Sequence, residues 1–214
     1  MAAEDAYFYR TAEGTGLPHD PFNAIVGPRP IGWVSTLSAD GVRNLAPYSF
    51  FNGFNYRPPV VGFASIGWKD SVANIEATGN FVWNLATRDL AAAMNETSAS
   101  LPADEDEFVR SGLTPVPAAL VASPRVLESP VNFECRLTQL IQLTDVDHKE
   151  LSTWLVLGQV VAVHIDRKLL VDGVYVTPAA APILRAGGPA DYVEVSADAM
   201  FTMVRPDDRQ RFSR

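Results

Sequence analysis

The segment SIGWKDS, residues 65–71, sets a lysine between two serines where the strand-like run VVGFA gives way to a helix-like one. Unpaired backbone N–H groups at a helix N-terminus attract anions. Lys69 adds a point charge there, and Ser65 and Ser71 add hydroxyls. The chemistry this combination favours is the holding of a phosphate-like anion. Asp70 works against it as a helix cap, because its carboxylate competes for the same N–H groups. Asp70 is therefore assigned the turn, and Ser65, Lys69 and Ser71 the anion contacts. Alone, the pattern also fits an ordinary capped surface helix.

A second stretch, PRPIGWVSTLSADGVRNLAPYSFF (28–51), reads as two strands around an Ala-Asp-Gly turn. Ser35 and Thr36 are consecutive and point to opposite faces. Pro47 interrupts the second strand, which belongs at a sheet edge, a bulge or a site. Backbone groups and hydroxyls are thereby made available to a ligand.

Other chemistries lack their residues. There is no Gly-x-Ser-x-Gly elbow, no Walker loop and no Gly-x-Gly-x-x-Gly after a strand. His19, His148 and His164 are far apart, so no metal site is read. His164 alternates with valines in VVAVHIDR and reads as a satisfied strand histidine, while His148 falls in a polar turn. The lone Cys135 shares a strand face with Val131, Phe133 and Leu137 and reads as a small core residue. One cysteine allows no internal disulfide, which suits a cytoplasmic location. The formal net charge of −8 argues against nucleic acid and anionic membranes as partners. It also requires that any anionic ligand be held by local basic groups. No apolar run approaches a membrane span, and the N-terminus has no apolar signal core.

The elements that must position these residues are mostly strands, expected at about 31–38, 43–50, 60–66, 81–87, 131–143, 153–165 and 192–196. Helices are expected in KDSVANIEATGN, with Asp70 as a good N-cap residue and Gly79 as the stop, in TRDLAAAMNETS and in DEDEFVRSG. Four prolines make 112–130 extended and loop-like. The expected class is α+β, mainly β, with short inserted helices. The expected division is an N-terminal arm (1–22), one domain (23–200) and a C-terminal tail (201–214).

The ordered segments RPIGWVST, NLAPYSFFN, KDSVANI and FVWNLA, followed by VLGQVVAVHID and RAGGPADY, resemble the flavin reductase-like family of FMN-binding split barrels over about residues 20–196. The resemblance implies a split β-barrel that binds FMN, with FAD less favoured. By it, Arg29, Pro30, Ser35 and Thr36 come to the cofactor from the first strand. Ala46, Pro47, Tyr48, Ser49 and Asn52 come from the second, Ser65, Lys69 and Ser71 hold the phosphate, and Arg185 reaches in from the late segment. It further implies an NAD(P)H-dependent flavin reductase, NAD(P)H as co-substrate, a homodimer and an oxygenase component as partner. The alternatives are a flavodoxin-like electron carrier without NAD(P)H turnover, or another split-barrel enzyme such as an FMN oxidase. Shorter reductases of the family carry a Gly-Asp-His segment near the nicotinamide. His148 in VDHKELSTWLVLG lies several residues further from its strand, and that role is not transferred to it. Trp33 and Trp68 could each flank a ring, although core or interface packing is the plainer reading.

Overall fold

The computed structural model describes residues 5–102 and 105–206. Residues 1–4 of the expected arm, Asp104 in the third expected helix and 207–214 of the expected tail lie outside them. After the arm, one helical turn, α1 (Phe22–Ile25), leads into β1 (Arg29–Pro30) and the hairpin β2 (Gly32–Leu37) and β3 (Arg43–Tyr48). Then come β4 (Phe51–Tyr56), β5 (Pro59–Ile66), α2 (Asp70–Thr78) and β6 (Asn80–Asn84). Two short helices, α3 (Ala91–Glu96) and α4 (Glu107–Ser111), precede the small pair β7 (Pro115–Val116) and β8 (Arg125–Val126). The long hairpin β9 (Val131–Thr144) and β10 (Glu150–Ile165) follows, then β11 (Leu170–Val171), β12 (Val174–Tyr175), β13 (Ile183–Arg185) and β14 (Tyr192–Glu194).

Seven strands form one antiparallel sheet in the order β3-β2-β6-β9-β10-β5-β4. Its two edge strands, β3 and β4, are consecutive in the chain and joined only by Ser49 and Phe50. So short a link holds the edges within about 10 Å of each other, which forces the sheet to curl into a barrel. The seam at β3/β4 is closed by the chain rather than by a ladder. A single strand was expected over 43–50, and β4 was not expected at all. Asn and Gly give β4 low strand propensity, and all its residues after Phe51 are exposed. Pro47 lies in edge strand β3. Leu45 on the same strand sends its N–H away from the sheet, to the Glu107 carboxylate at 3.0 Å. By alternation the nitrogen of Pro47 faces the same way, so no ladder bond is lost there.

Two apolar cores flank β2, which explains why nearly all of it is buried. Inside the barrel, Val34, Phe63, Phe81, Cys135 and Val156 pack together with Val72 and Ile75 of α2. This α2 stripe lies on β2, β3 and β9. Outside, Ile31, Trp33 and Leu45 are covered by Met94, Phe108, Val126 and Ile183. Trp33 is thus core, with its Nε1 donating to Thr97 Oγ1 at 3.0 Å. Gly158 of β10 lies against the buried Phe81 ring. A Cβ there would sit 2.5 Å from Phe81 Cε1, and the fully buried ring has nowhere to retreat. Gly158→Ala is therefore expected to cost about 1–3 kcal/mol by overpacking, read as a lower urea midpoint at unchanged slope.

Candidate flavin site

β1 and β13 are antiparallel with Arg29 directly opposite Arg185. Like charges at such positions repel, and each guanidinium is steadied by backbone carbonyls. Arg29 donates from Nε to Ser49 O at 3.0 Å and from Nη1 to Asn23 O at 2.6 Å and to Val26 O. It also lies over the Phe50 ring. Arg185 donates to Asp191 O at 2.7 Å, Pro189 O at 2.6 Å and Gly188 O at 3.1 Å. The Arg-Ala-Gly-Gly-Pro turn is wrapped around its own arginine.

These two arginines face a polar cleft of about 280 Å³. Pro47, Tyr48, Ser49 and Phe50 of the β3–β4 link form one wall, and Ala64, Ile66 and Lys69 at the end of β5 form another. Three cations line it and no carboxylate does, in a chain of net charge −8. Among the described residues Lys69 Nζ makes no ion pair or hydrogen bond.

Helix α2 begins at this cleft. Lys69, not Asp70, occupies the N-cap position, and no side chain caps the helix. Asp70 is the first helical residue, and its side chain lines a separate acidic cleft with Asp40, Glu105 and Glu107. The expected competition between the Asp70 carboxylate and an anion for the first N–H groups is therefore absent. Burial pushes the Tyr48 hydroxyl above its ordinary pKa, with Ser71 and Ser65 partly offsetting the rise. That hydroxyl is nonetheless buried without a well-formed hydrogen bond. The uncapped helix start beside Lys69 fits an anionic group.

Arg29, Pro47, Tyr48, Ser49, Lys69 and Arg185 thus meet in one cleft. The remaining sequence candidates do not line it. Ser35 is fully buried on the outer face of β2, where its Oγ donates to Pro124 O and accepts from Asn84 Nδ2 at 3.1 Å. Thr36, on the opposite face, accepts from Asn74 Nδ2 at 3.0 Å. Ser71 accepts from Asn44 Nδ2 at 2.8 Å, and Ser65 donates to Gly67 O at 2.9 Å. The side chains of Ser35, Thr36, Ser65 and Ser71 are thus buried and hydrogen-bonded within the chain, and both faces of β2 are covered. Ala46 packs against the barrel core. Pro30 and Asn52 line a different, apolar cavity at the barrel's end.

Sequence reasoning missed Phe50 and Asn23 as cleft walls. Only Phe50 carried a signal, as the residue after Ser49 in a proline-broken strand. It also missed the partner of His164. The imidazole Nε2 lies 2.6 Å from Glu134 Oε1, a fully buried carboxylate that also accepts from the N–H groups of Ala119 (2.7 Å) and Leu120 (2.6 Å). Residues 112–130 are strapped to the barrel by these bonds, and by Val126 N–H to Asn84 Oδ1 at 3.0 Å. They do not border the cleft. His148 is exposed in the β9–β10 turn, at φ 63°.

Residues 27–179 match the flavin reductase like domain family. An uncharacterized protein of Aquifex aeolicus is 35% identical over 170 residues, which is 77% of this chain and 83% of that one. Among solved structures, nitrilotriacetate monooxygenase component B from Bacillus cereus is 30% identical with a TM-score of 0.78, over 85% of this chain and 90% of that one. The 2-nitrobenzoate 2-nitroreductase NbaA of Pseudomonas fluorescens is 28% identical with a TM-score of 0.76, over 86% and 89%. With its barrel split at the β3/β4 seam, the chain belongs to the flavin reductase-like family.

Proposed function

We propose that this chain is an FMN-binding NAD(P)H:flavin oxidoreductase that places the phosphate of FMN in the Lys69 cleft. The observation that carries this reading is the carboxylate-free cleft of three cations at an uncapped helix start. Against a net charge of −8, such a cleft exists to hold an anion. Lys69 supplies the free charged donor. Arg29 and Arg185 supply positive potential while their guanidiniums hold the cleft's backbone in shape. A terminal phosphate suits this enclosure better than the bridged pyrophosphate of FAD. Bound flavin supplies hydride acceptance and electron storage, and the chain supplies binding and orientation.

Ile66 and Trp68, the latter edge-on to Trp154, are exposed beside the cleft. They favour a homodimer in which a second copy covers the rim. The similarity to a monooxygenase component B and to a nitroreductase supports a reductase that passes electrons onward, with an oxygenase component as a partner. NADH and NADPH oxidation measured with and without added FMN tests the activity. Turnover that requires FMN is expected with at least one nucleotide. Stoichiometric FMN binding with no turnover on either would replace the reductase with an electron carrier.

A further inference from the structure

The open end of the barrel holds a cavity that the flavin reading does not use. By register, the end of β6, the start of β9, the end of β10 and the start of β5 lie together there. Helix α2 leaves β5 and enters β6 at their opposite ends. The cavity measures about 450 Å³, whereas well-packed interiors leave few voids larger than a water molecule. It falls within the size range of small-molecule sites, which favour barrel mouths.

Its lining sets the chemistry of an occupant. No charged residue lines it. Phe51 and Trp83 stack nearly parallel at 5.5 Å, with Phe133 tilted 4.7 Å from Trp83. Trp83 Nε1 already donates to Ile31 O at 2.9 Å, so the indole offers only apolar surface. Polar groups are confined to Asn52, Thr177 and Tyr175. The Tyr175 and Thr177 hydroxyls are the donors available to an occupant. Burial pushes the Tyr175 phenol up, so it remains a neutral hydroxyl.

We propose that the barrel mouth is a second binding site, for an uncharged, flat, fused-ring molecule carrying a hydrogen-bond acceptor, separate from the flavin cleft. The two cavities share no lining residue. They share a wall, in which Arg29, Phe50 and Arg185 face the polar cleft while their neighbours Pro30, Phe51 and Leu184 face the mouth. A molecule in the mouth therefore leaves the Lys69 cleft free. An apolar, charge-free site cannot neutralise an anion and selects against charged ligands.

The neutral fluorophore prodan, an aminonaphthalene whose ketone oxygen is a hydrogen-bond acceptor, is the probe, titrated into the full chain at saturating FMN. One saturable site per chain is expected, with the same affinity in the presence of FMN or riboflavin. Gly53 lies on the same face of β4 as Phe51, and a Cβ there meets nothing within 4 Å. Gly53→Phe therefore adds a ring at the rim of the mouth and should weaken the probe at least about tenfold, or 1.4 kcal/mol, while leaving FMN binding unchanged. Val195→Phe, on the opposite rim, gives a second plug if the first fails to fold. Several results would overturn the proposal: no saturable binding, competition by riboflavin, indifference to both plugs, or probe binding that falls as protein concentration rises. The last would mean that a second copy fills the mouth.

Discussion

Glu134→Ala should lower stability by about 3–5 kcal/mol, the order expected for losing two charge-assisted backbone hydrogen bonds at about 1.5–3 kcal/mol each. Glu134 is fully buried in β9 and accepts three hydrogen bonds, from Ala119, Leu120 and His164. Its loss removes the acceptor of two backbone N–H groups and frees the loop they anchor. In a chain of this length the melting temperature should fall by about 6–20 °C. Burial alone would raise the Glu134 pKa, but the Ala119 N–H, the His164 imidazole and the Leu120 N–H outweigh it and hold it below the usual carboxylate range. The folded-state pKa is thus lower than the unfolded one. The carboxylate's contribution is complete above the unfolded value, about 4.3, and disappears as pH falls through the folded one. Urea melts of the unmodified chain and Glu134→Gln should differ at pH 7 and converge as the pH falls below the usual carboxylate range. A gap that stays constant with pH would show that the charge at Glu134 contributes nothing.

Lys69→Ala should weaken FMN binding by about 1–3 kcal/mol, the loss expected for a charged hydrogen bond. This corresponds to about 5- to 150-fold in Kd. Riboflavin, which lacks the phosphate, should bind the variant as it binds the unmodified chain. The contrast isolates the phosphate because Lys69 supports no other described side chain, so its removal leaves the cleft walls intact. Equal losses for FMN and riboflavin would place Lys69 against the ring instead, and no loss for either would remove it from the site.

Much of this was legible in the residues. The Lys69 segment, the proline-broken strand and the arginine–diglycine turn carry strong local chemistry, and the structure gathers them into one cleft. The Ala-Asp-Gly turn and the Gly79 stop were equally readable, because αL and tight-turn positions leave little choice of residue. Gly79 adopts φ 73° and donates its N–H to Ile75 O. The hydroxyls of Ser35 and Thr36 are buried for a physical reason. A strand with one face covered would expose alternate residues, but α2 covers one side of β2, and α3, α4 and the 122–126 segment cover the other. That covering is tertiary and leaves no mark on the strand's own pattern. Strand β4 was hidden by its Asn and Gly content, since an edge strand needs only one partner and tolerates poor propensity. The Glu134–His164 pair joins residues thirty apart across two bulged strands, a register that alternation along the sequence does not reveal.

The central claim is that the basic cleft at the start of α2 holds the phosphate of a flavin. Titrating FMN and riboflavin into the unmodified chain, followed by quenching of flavin fluorescence across a range of salt, tests it most directly. The account predicts that FMN binds at least about tenfold more tightly than riboflavin. That advantage should shrink as salt screens the cationic cleft, while riboflavin affinity stays nearly constant. Equal affinity for the two flavins at low salt would contradict the account.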